Sequence, residues 1–259
     1  MREMDDQQRR DSAWHALDVV IDPELDEPIT DLGFVRSLEV SADGAVSVHL
    51  RLPTSFCAPN FAYLMASDAK DVLTALEWTG SVTVELDDHH DSDIINTGLA
   101  ADAGYRGTFR HEALDDLSEL RETFLRKAHT AAMERCLTAI LRCDREFDVS
   151  ELGAVRLDAL PADDITESLL RRRRSIGLST EADDLVMVDH RGVGYAPDAV
   201  PMALRRARST RISIDGNAHF CRGLLRTRYG DDAVGPRTAG DTPSDTGTFV
   251  PLSALTMPA

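Results

Sequence analysis

Apolar residues along the first hundred positions change their period several times, and each change predicts an element. Trp14, Leu17, Val20 and Ile21 recur at helical spacing and predict an amphipathic helix. Asp22-Pro23 closes it, because proline disfavours helix in the residue before it. Residues 34–40 read as a strand, and Ala42-Asp43-Gly44 is a hairpin turn signal. Val46, Val48, Leu50 and Leu52 then alternate with polar residues, the period of a strand with one buried face. After Pro59, a stripe through Phe61, Leu64, Met65, Ala69, Val72, Leu73 and Leu76 has a period near 3.6 and predicts a helix. Gly80 opens another alternating strand through Val82, Val84 and Leu86. The order is α-β-β-α-β, a small open-faced module over residues 8–99.

Residues 100–110 read as a linker, followed by a long helix from about Glu112 to Phe147 with Leu117, Leu120, Phe124, Ala128, Ala132, Cys136, Ala139 and Cys143 on its apolar side. Farther on, residues 185–188 read as a strand, 198–208 as a helix, 211–214 as a strand and 217–229 as a helix. That β-α-β-α order predicts a second mixed α/β region over residues 111–229, packed on the long helix. From about Gly230 the chain is rich in Gly, Pro, Thr, Ser and Asp, the composition of a mobile tail over residues 230–259. The fold class is therefore α/β (α+β).

Charge narrows the partners. The formal net charge is -17, from 45 acidic against 28 basic residues. Such a field repels phosphate backbones and anionic lipid, so neither nucleic acid nor a membrane surface is expected as a partner. Residues 1–11 are polar, no targeting signal is apparent, and no run approaches the roughly 20 apolar residues that span a bilayer. Four cysteines, Cys57, Cys136, Cys143 and Cys221, form no C-x-x-C pair, which suits free thiols in a reducing, cytoplasmic compartment.

The candidate chemistry gathers at the loops of the first module. Asp22-Pro23-Glu24 closes the first helix, Asp31-Leu32-Gly33-Phe34-Val35 leads into the first strand, and residues 52–59 (Leu-Pro-Thr-Ser-Phe-Cys-Ala-Pro) join the second strand to the second helix. Cys57 falls at or just before a helix N-terminus, where the dipole and unpaired N–H groups favour a thiolate, and Thr54 and Ser55 are natural capping hydroxyls. A thiolate with carboxylates on neighbouring loops is a plausible transient ligand set for a soft or borderline metal. Asp22, Glu24 and Asp31 serve equally well as caps and turn formers.

This ordered set of Asp-Pro-Glu, Asp-Leu-Gly-Phe-Val and Pro-Thr followed by cysteine resembles the FeS-assembly-P domain of the PaaD, SufT and MIP-type iron–sulfur assembly factors. The resemblance covers about residues 14–99. It implies that Cys57 is the reactive cysteine and that Asp22, Glu24, Asp31 and Thr54 are motif positions. It also implies a role in delivering iron–sulfur clusters to client proteins, one branch accompanying multicomponent oxygenases. The family usually has proline directly after the cysteine, whereas here Ala58 intervenes before Pro59.

Other groupings have bland readings. Asp87-Asp88-His89-His90-Asp91-Ser92-Asp93 places two histidines among acids, but adjacent strand residues face opposite ways, so a solvated acidic loop is the expectation. Cys136 and Cys143 lie on one face of the long helix and suit core packing. Arg171 to Arg174 form the only basic run, a solvated helix end with Asp163 and Asp164 at the opposite end, or a dock for an acidic client surface. Asp189 and His190 after one expected strand, and Asp215, His219 and Cys221 after the next, would gather at one sheet edge as a second site if those strands were adjacent. A thiol- or metal-dependent enzyme built there is a further reading and needs a deep pocket.

No P-loop, dinucleotide fingerprint, H-E-x-x-H helix or G-x-S-x-G elbow is present, so an enzyme is not expected. The expectation is an accessory maturation factor that assists iron–sulfur cluster or iron insertion into a client protein, with an oxygenase component as the client that the resemblance suggests. Its cofactor would be a transient iron–sulfur cluster or iron, or none. The alternative is a metal-free interaction protein or folding chaperone for an oxygenase subunit. A second copy of the chain, giving a homodimer, is the other partner considered.

Overall fold

The computed structural model describes residues 5–109 and 117–230. It contains seven α-helices and five strands among those residues: α1 Asp6–Leu17, β1 Ile21–Asp22, β2 Glu27–Pro28, β3 Val35–Val40, β4 Val46–Arg51, α2 Pro59–Thr74, β5 Val82–Asp87, α3 Ser92–Ala100, α4 Gly104–Phe109, α5 Leu117–Cys143, α6 Asp164–Ser175 and α7 Val200–Tyr229. Strands β3, β4 and β5 form one sheet, with β3–β4 antiparallel and β4–β5 parallel. Helix α2 is thus the crossover of a β-α-β unit, as a parallel pair requires. The α-β-β-α-β order is present and the fold is mixed α/β, followed by a mostly helical C-terminal region.

The alternation in β4 buries Val46, Val48 and Leu50, and β5 turns Val84 and Leu86 to the same core. Helix α2 covers them with Met65, Ala66, Ala69 and Leu73. Gly44 in the β3–β4 turn has φ +84, and a Cβ there would lie 2.7 Å from the Trp78 carbonyl, so the turn demands glycine on both counts.

Four expectations are corrected. Helix α1 ends at Leu17, six residues before Pro23. Its capping box is at Asp5 and Gln8, and Val20 is buried from an extended segment beyond the helix. Ile21-Asp22 instead pair with Glu27-Pro28 in a two-residue ladder. The expected linker contains α4, packed so closely on α3 that a Cβ at Gly98 would meet the Thr108 hydroxyl at 2.0 Å.

The third correction concerns residues 185–188. They make only isolated bridges, Arg156 with Leu185 and Val188 with Gly194. Their apolar run reflects burial of Val186, Met187 and Val188 against helices, not a sheet. The fourth is the largest. The expected helix, strand and helix over 198–229 are one continuous helix of 30 residues, α7. Residues 112–116 of the expected long helix and the expected tail beyond Gly230 lie outside the described residues.

Helix α7 joins two cores. Its first half contributes Val200, Leu204 and Ala207 to a cluster with Met133, Leu137, Leu152, Leu169 and Met187. Its second half contributes Ala218 and Leu225 to the core of the N-terminal module. Fully buried Glu134 on α5 accepts from Thr138 (2.7 Å), Arg208 (3.1 Å) and Arg211 (2.5 Å), fastening α5 to α7 by a charged group that burial alone would neutralise. Among the described residues no helix is long and apolar enough to cross a membrane.

Candidate functional site

Cys57 lies in the loop that follows β4 at the carboxyl end of the parallel β4–β5 pair, the edge where open α/β sheets commonly place sites. It is half-buried and free, one residue before Ala58, the N-cap of α2; Pro59 starts the helix. No side chain caps α2. Thr54 instead accepts from the Phe56 amide at 3.1 Å and stands 3.6 Å from the Cys57 sulfur. Ser55 accepts from Arg228 at 2.8 Å. Both hydroxyls therefore shape the cysteine loop and leave the helix end alone, which corrects their expected capping role.

His89 braces the same loop. Its Nε2 contacts the Cys57 carbonyl at 2.8 Å, while Nδ1 contacts the Asp91 amide at 3.0 Å. A carbonyl only accepts and an amide only donates, so the ring carries its proton on Nε2. The His90 amide donates to the Ser55 carbonyl at 2.9 Å, and the His90 ring stands 5.9 Å from that of Phe56, which is 80% exposed at the loop tip. The sequence reading, a solvated acidic loop, missed this support. Adjacent histidines facing opposite ways were its only signal, since one turns in to the cysteine loop and the other out.

The acids have definite tasks. Asp22 is buried, and its Oδ1 accepts from the amides of Glu24 and Leu25, each at 2.8 Å. Burial pushes its carboxyl up to about 6, against the pull of those two amides. Glu24 accepts from Asn217 of α7 at 3.1 Å. Asp31 is partly buried; burial, with Asp18 nearby, raises it while Arg222 opposes.

Two further acids of the same turn, which the sequence reading did not single out, hold the C-terminal helices. Asp26, at φ 57, pairs with Arg172 of α6 at 2.7 Å, and Glu27 forms a forked ion pair with Arg222 of α7. The basic run is thus not simply a solvated helix end. Arg172 grips this turn, and buried Arg173 donates to the carbonyls of Ser179 (2.7 Å) and Leu185 (2.9 Å).

The remaining half of α7 closes over the cysteine loop. Arg228 donates to the carbonyls of Leu52 (3.1 Å) and Asp88 (2.6 Å) besides Ser55, and the Tyr229 hydroxyl reaches Asp88 at 3.2 Å. Cys221 is half-buried and free on the same helix, packed against the core of the first module. Burial first, then Cys57, Asp22 and Glu24, push the Cys221 thiol up to about 12.

The second-site candidates do not gather at a sheet edge, because the second strand that would form it is helix. Asp189 accepts from the amides of Arg191 and Val193 in a turn, and His190 is exposed. Asp215 pairs with Arg135 at 2.6 Å and Arg211 at 2.8 Å, and His219 is exposed on α7. Of that group only Cys221 packs against the core of the first module. Cys136 is buried in the second core, and Cys143 is exposed. Among the described residues no group of three or more His, Cys, Asp or Glu is arranged to hold a metal ion.

Comparison with known proteins places the first module. Residues 10–86 match the family described as "Iron-sulfur cluster assembly protein". An uncharacterized protein of Methanocaldococcus jannaschii is 31% identical over 80 residues, covering 31% of this chain and 82% of that protein. Iron-sulfur cluster carrier proteins of Mycobacterium bovis and Mycobacterium tuberculosis are 50% identical over 42 residues, which are 16% of this chain. The chain spans only 11% of the length of those carriers. A crystal structure of a domain of unknown function, DUF59, from Bacillus anthracis is 25% identical, covers 31% of this chain and 74% of that one, and has a TM-score of 0.29.

Proposed function

Because the chain belongs, through residues 10–86, to the iron-sulfur cluster assembly protein family, we propose that it is an accessory maturation factor that takes up an iron–sulfur cluster or iron as cargo and passes it to a client protein. The observation that carries this reading is the free, half-buried thiol of Cys57, held on a loop whose backbone is fixed from three sides by Thr54, His89 and Arg228. A cluster carrier needs a sulfur that is restrained but reachable, because its ligand must exchange with one from the recipient. Phe56, exposed beside the thiol, supplies an apolar contact for that recipient.

In this reading the protein is a carrier and not a catalyst, works in the reducing cytoplasm, and recognises a protein client, an oxygenase component being one candidate. The net charge of -17 favours a client with a basic surface. Anaerobic incubation of the full chain with ferrous iron and sulfide tests it. The wild type should bind iron and sulfide with thiolate-to-iron charge-transfer absorption, and Cys57→Ser should lose most of both. A wild type that stays colourless and iron-free overturns the proposal.

A second reading, a metal-free docking protein or folding chaperone for an oxygenase subunit, is favoured by the engagement of Asp22 and Glu24 in the loop and on α7. It predicts full client maturation in cells that carry Cys57→Ala.

A further inference from the structure

Helices α5 and α7 are fastened to each other at Glu134, which holds Arg208 and Arg211. Between the same two helices and the acidic turn lies a cleft of about 390 Å³, within the range of small-molecule sites. Arg206, Ser209, Thr210, Ser213, Ile214 and Asn217 line it at offsets of three, four, seven, eight and eleven residues, so they form one face of α7. A helix face turned to a neighbouring helix is ordinarily apolar, yet Ile214 is the only apolar residue of this one. From α5 come Phe124 and Lys127, with the ammonium held 4.4 Å from the centre of the Phe124 ring. Charge sets the cleft apart from the rest of the two helices, where Arg121, Arg126, Arg135, Arg208, Arg211 and Arg222 all pair with carboxylates. Among the described residues Lys127 and Arg206 have no carboxylate partner, and both line this cleft. Thr210 donates to the Arg206 carbonyl at 3.2 Å, whereas the Ser209 and Ser213 hydroxyls donate to no group among the described residues.

We propose that this cleft binds a small organic phosphate, a function beyond cargo handling and independent of it. Two cations match the double charge of a phosphate monoester, and the two serine hydroxyls add donors for its acceptor oxygens. A monoanion would leave one of the two cations unmatched. Phe124 and Ile214 give the organic part of the ligand an apolar contact. Glu24 sets the orientation, because its carboxylate accepts from Asn217 at 3.1 Å and repels an anion from that end. Arg206 is eleven residues from Asn217, about 16 Å along the helix, so the phosphate belongs at the Arg206 end.

Isothermal titration calorimetry of the full chain with phenyl phosphate tests the site. Phenyl sulfate serves as the monoanion of the same shape, and inorganic phosphate as the headgroup alone. Phenyl phosphate should bind as a single molecule per chain, at least about tenfold more tightly than either. Lys127→Gln and Arg206→Gln should each weaken it by about tenfold, the worth of one charge-assisted hydrogen bond. Arg205→Gln removes an exposed cation that does not line the cleft, and it should leave the affinity unchanged. Thermal melts of the three variants should match that of the wild type, which separates a lost contact from a lost fold. No saturable heat with phenyl phosphate, wild-type affinity in both Lys127→Gln and Arg206→Gln, or an equal loss in Arg205→Gln overturns the site. Equal affinity for phenyl sulfate overturns the phosphate as ligand, and equal affinity for inorganic phosphate overturns the organic part.

Discussion

The Arg228 guanidinium donates to the Ser55 hydroxyl at 2.8 Å, tying the last turn of the C-terminal helix to the loop that carries Cys57. The same group reaches the carbonyls of Leu52 and Asp88, so one side chain joins three separate backbone segments around the thiol. Arg228→Ala should free the loop and leave the fold standing. Alkylation of Cys57 by iodoacetamide should then run about five- to tenfold faster, the factor that roughly 1 kcal/mol of lost restraint gives. An unchanged rate would show that the helix does not restrain the loop.

Buried charge on α5 makes a separate prediction. Arg211 is the more deeply buried partner of Glu134; Arg208 is 45% exposed. Arg211→Ala should therefore lower stability by about 1–3 kcal/mol, because it leaves a buried carboxylate with weakened compensation, and should cost more than Arg208→Ala. Urea unfolding of the two variants measures the difference.

Two buried groups oppose one another in mildly acid solution. Asp22 has its pKa raised to about 6, so between its ordinary value and 6 the native state holds a proton that the unfolded chain has lost. Its contribution is complete below pH 3.8 and is lost as pH rises through 6. His129 is 1% exposed, and burial, with Arg173 and His190 nearby, lowers it from 6.5 to about 4. Its contribution is complete above pH 6.5 and is lost as pH falls through 4. Each is worth on the order of 3 kcal/mol. Asp22→Asn keeps the acceptor for both amides and removes the first slope. Its unfolding midpoint should fall more steeply than that of the wild type between pH 6 and pH 4, and His129→Gln should shift the dependence the other way. Parallel pH profiles for all three proteins would contradict both assignments.

Gly98 is defined by what faces it. A methyl group there would collide with the Thr108 side chain at 2.0 Å, so Gly98→Ala should destabilise the α3–α4 pair by about 1–3 kcal/mol. Adding Thr108→Ala should restore only part of the loss, because the Thr108 Cβ itself lies 2.7 Å from that position, as thermal melts of the single and double variants would show.

The first module was legible because its signals are local. The alternation Val46, Val48, Leu50 and the stripe from Leu64 to Leu73 each point one way, and the residues they mark are buried, Val72 partly so. Helix α7 was misread because Arg211 to Ile214 alternates like a strand and Asp215-Gly216 looks like a break. Packing of Ile214, Ala218 and Leu225 along one face outweighs the roughly 1 kcal/mol that a mid-helix glycine costs.

Cys57, Thr54 and the acidic turn could be found from their order along the chain. That Glu24, Asp26 and Glu27 would hold α6 and α7 could not. Those contacts join residues more than a hundred positions apart, and no period or spacing encodes them.

The central claim, that the Cys57 thiol carries cargo destined for another protein, is tested most directly by transfer. Full-length protein reconstituted with iron and sulfide would be mixed anaerobically with an apo ferredoxin, and cluster arrival followed by the acceptor's visible circular dichroism. The account predicts that the wild type loads the acceptor faster than free iron and sulfide do, and that Cys57→Ser gives only the free-reagent rate. Equal rates with wild type, Cys57→Ser and free reagents would contradict it.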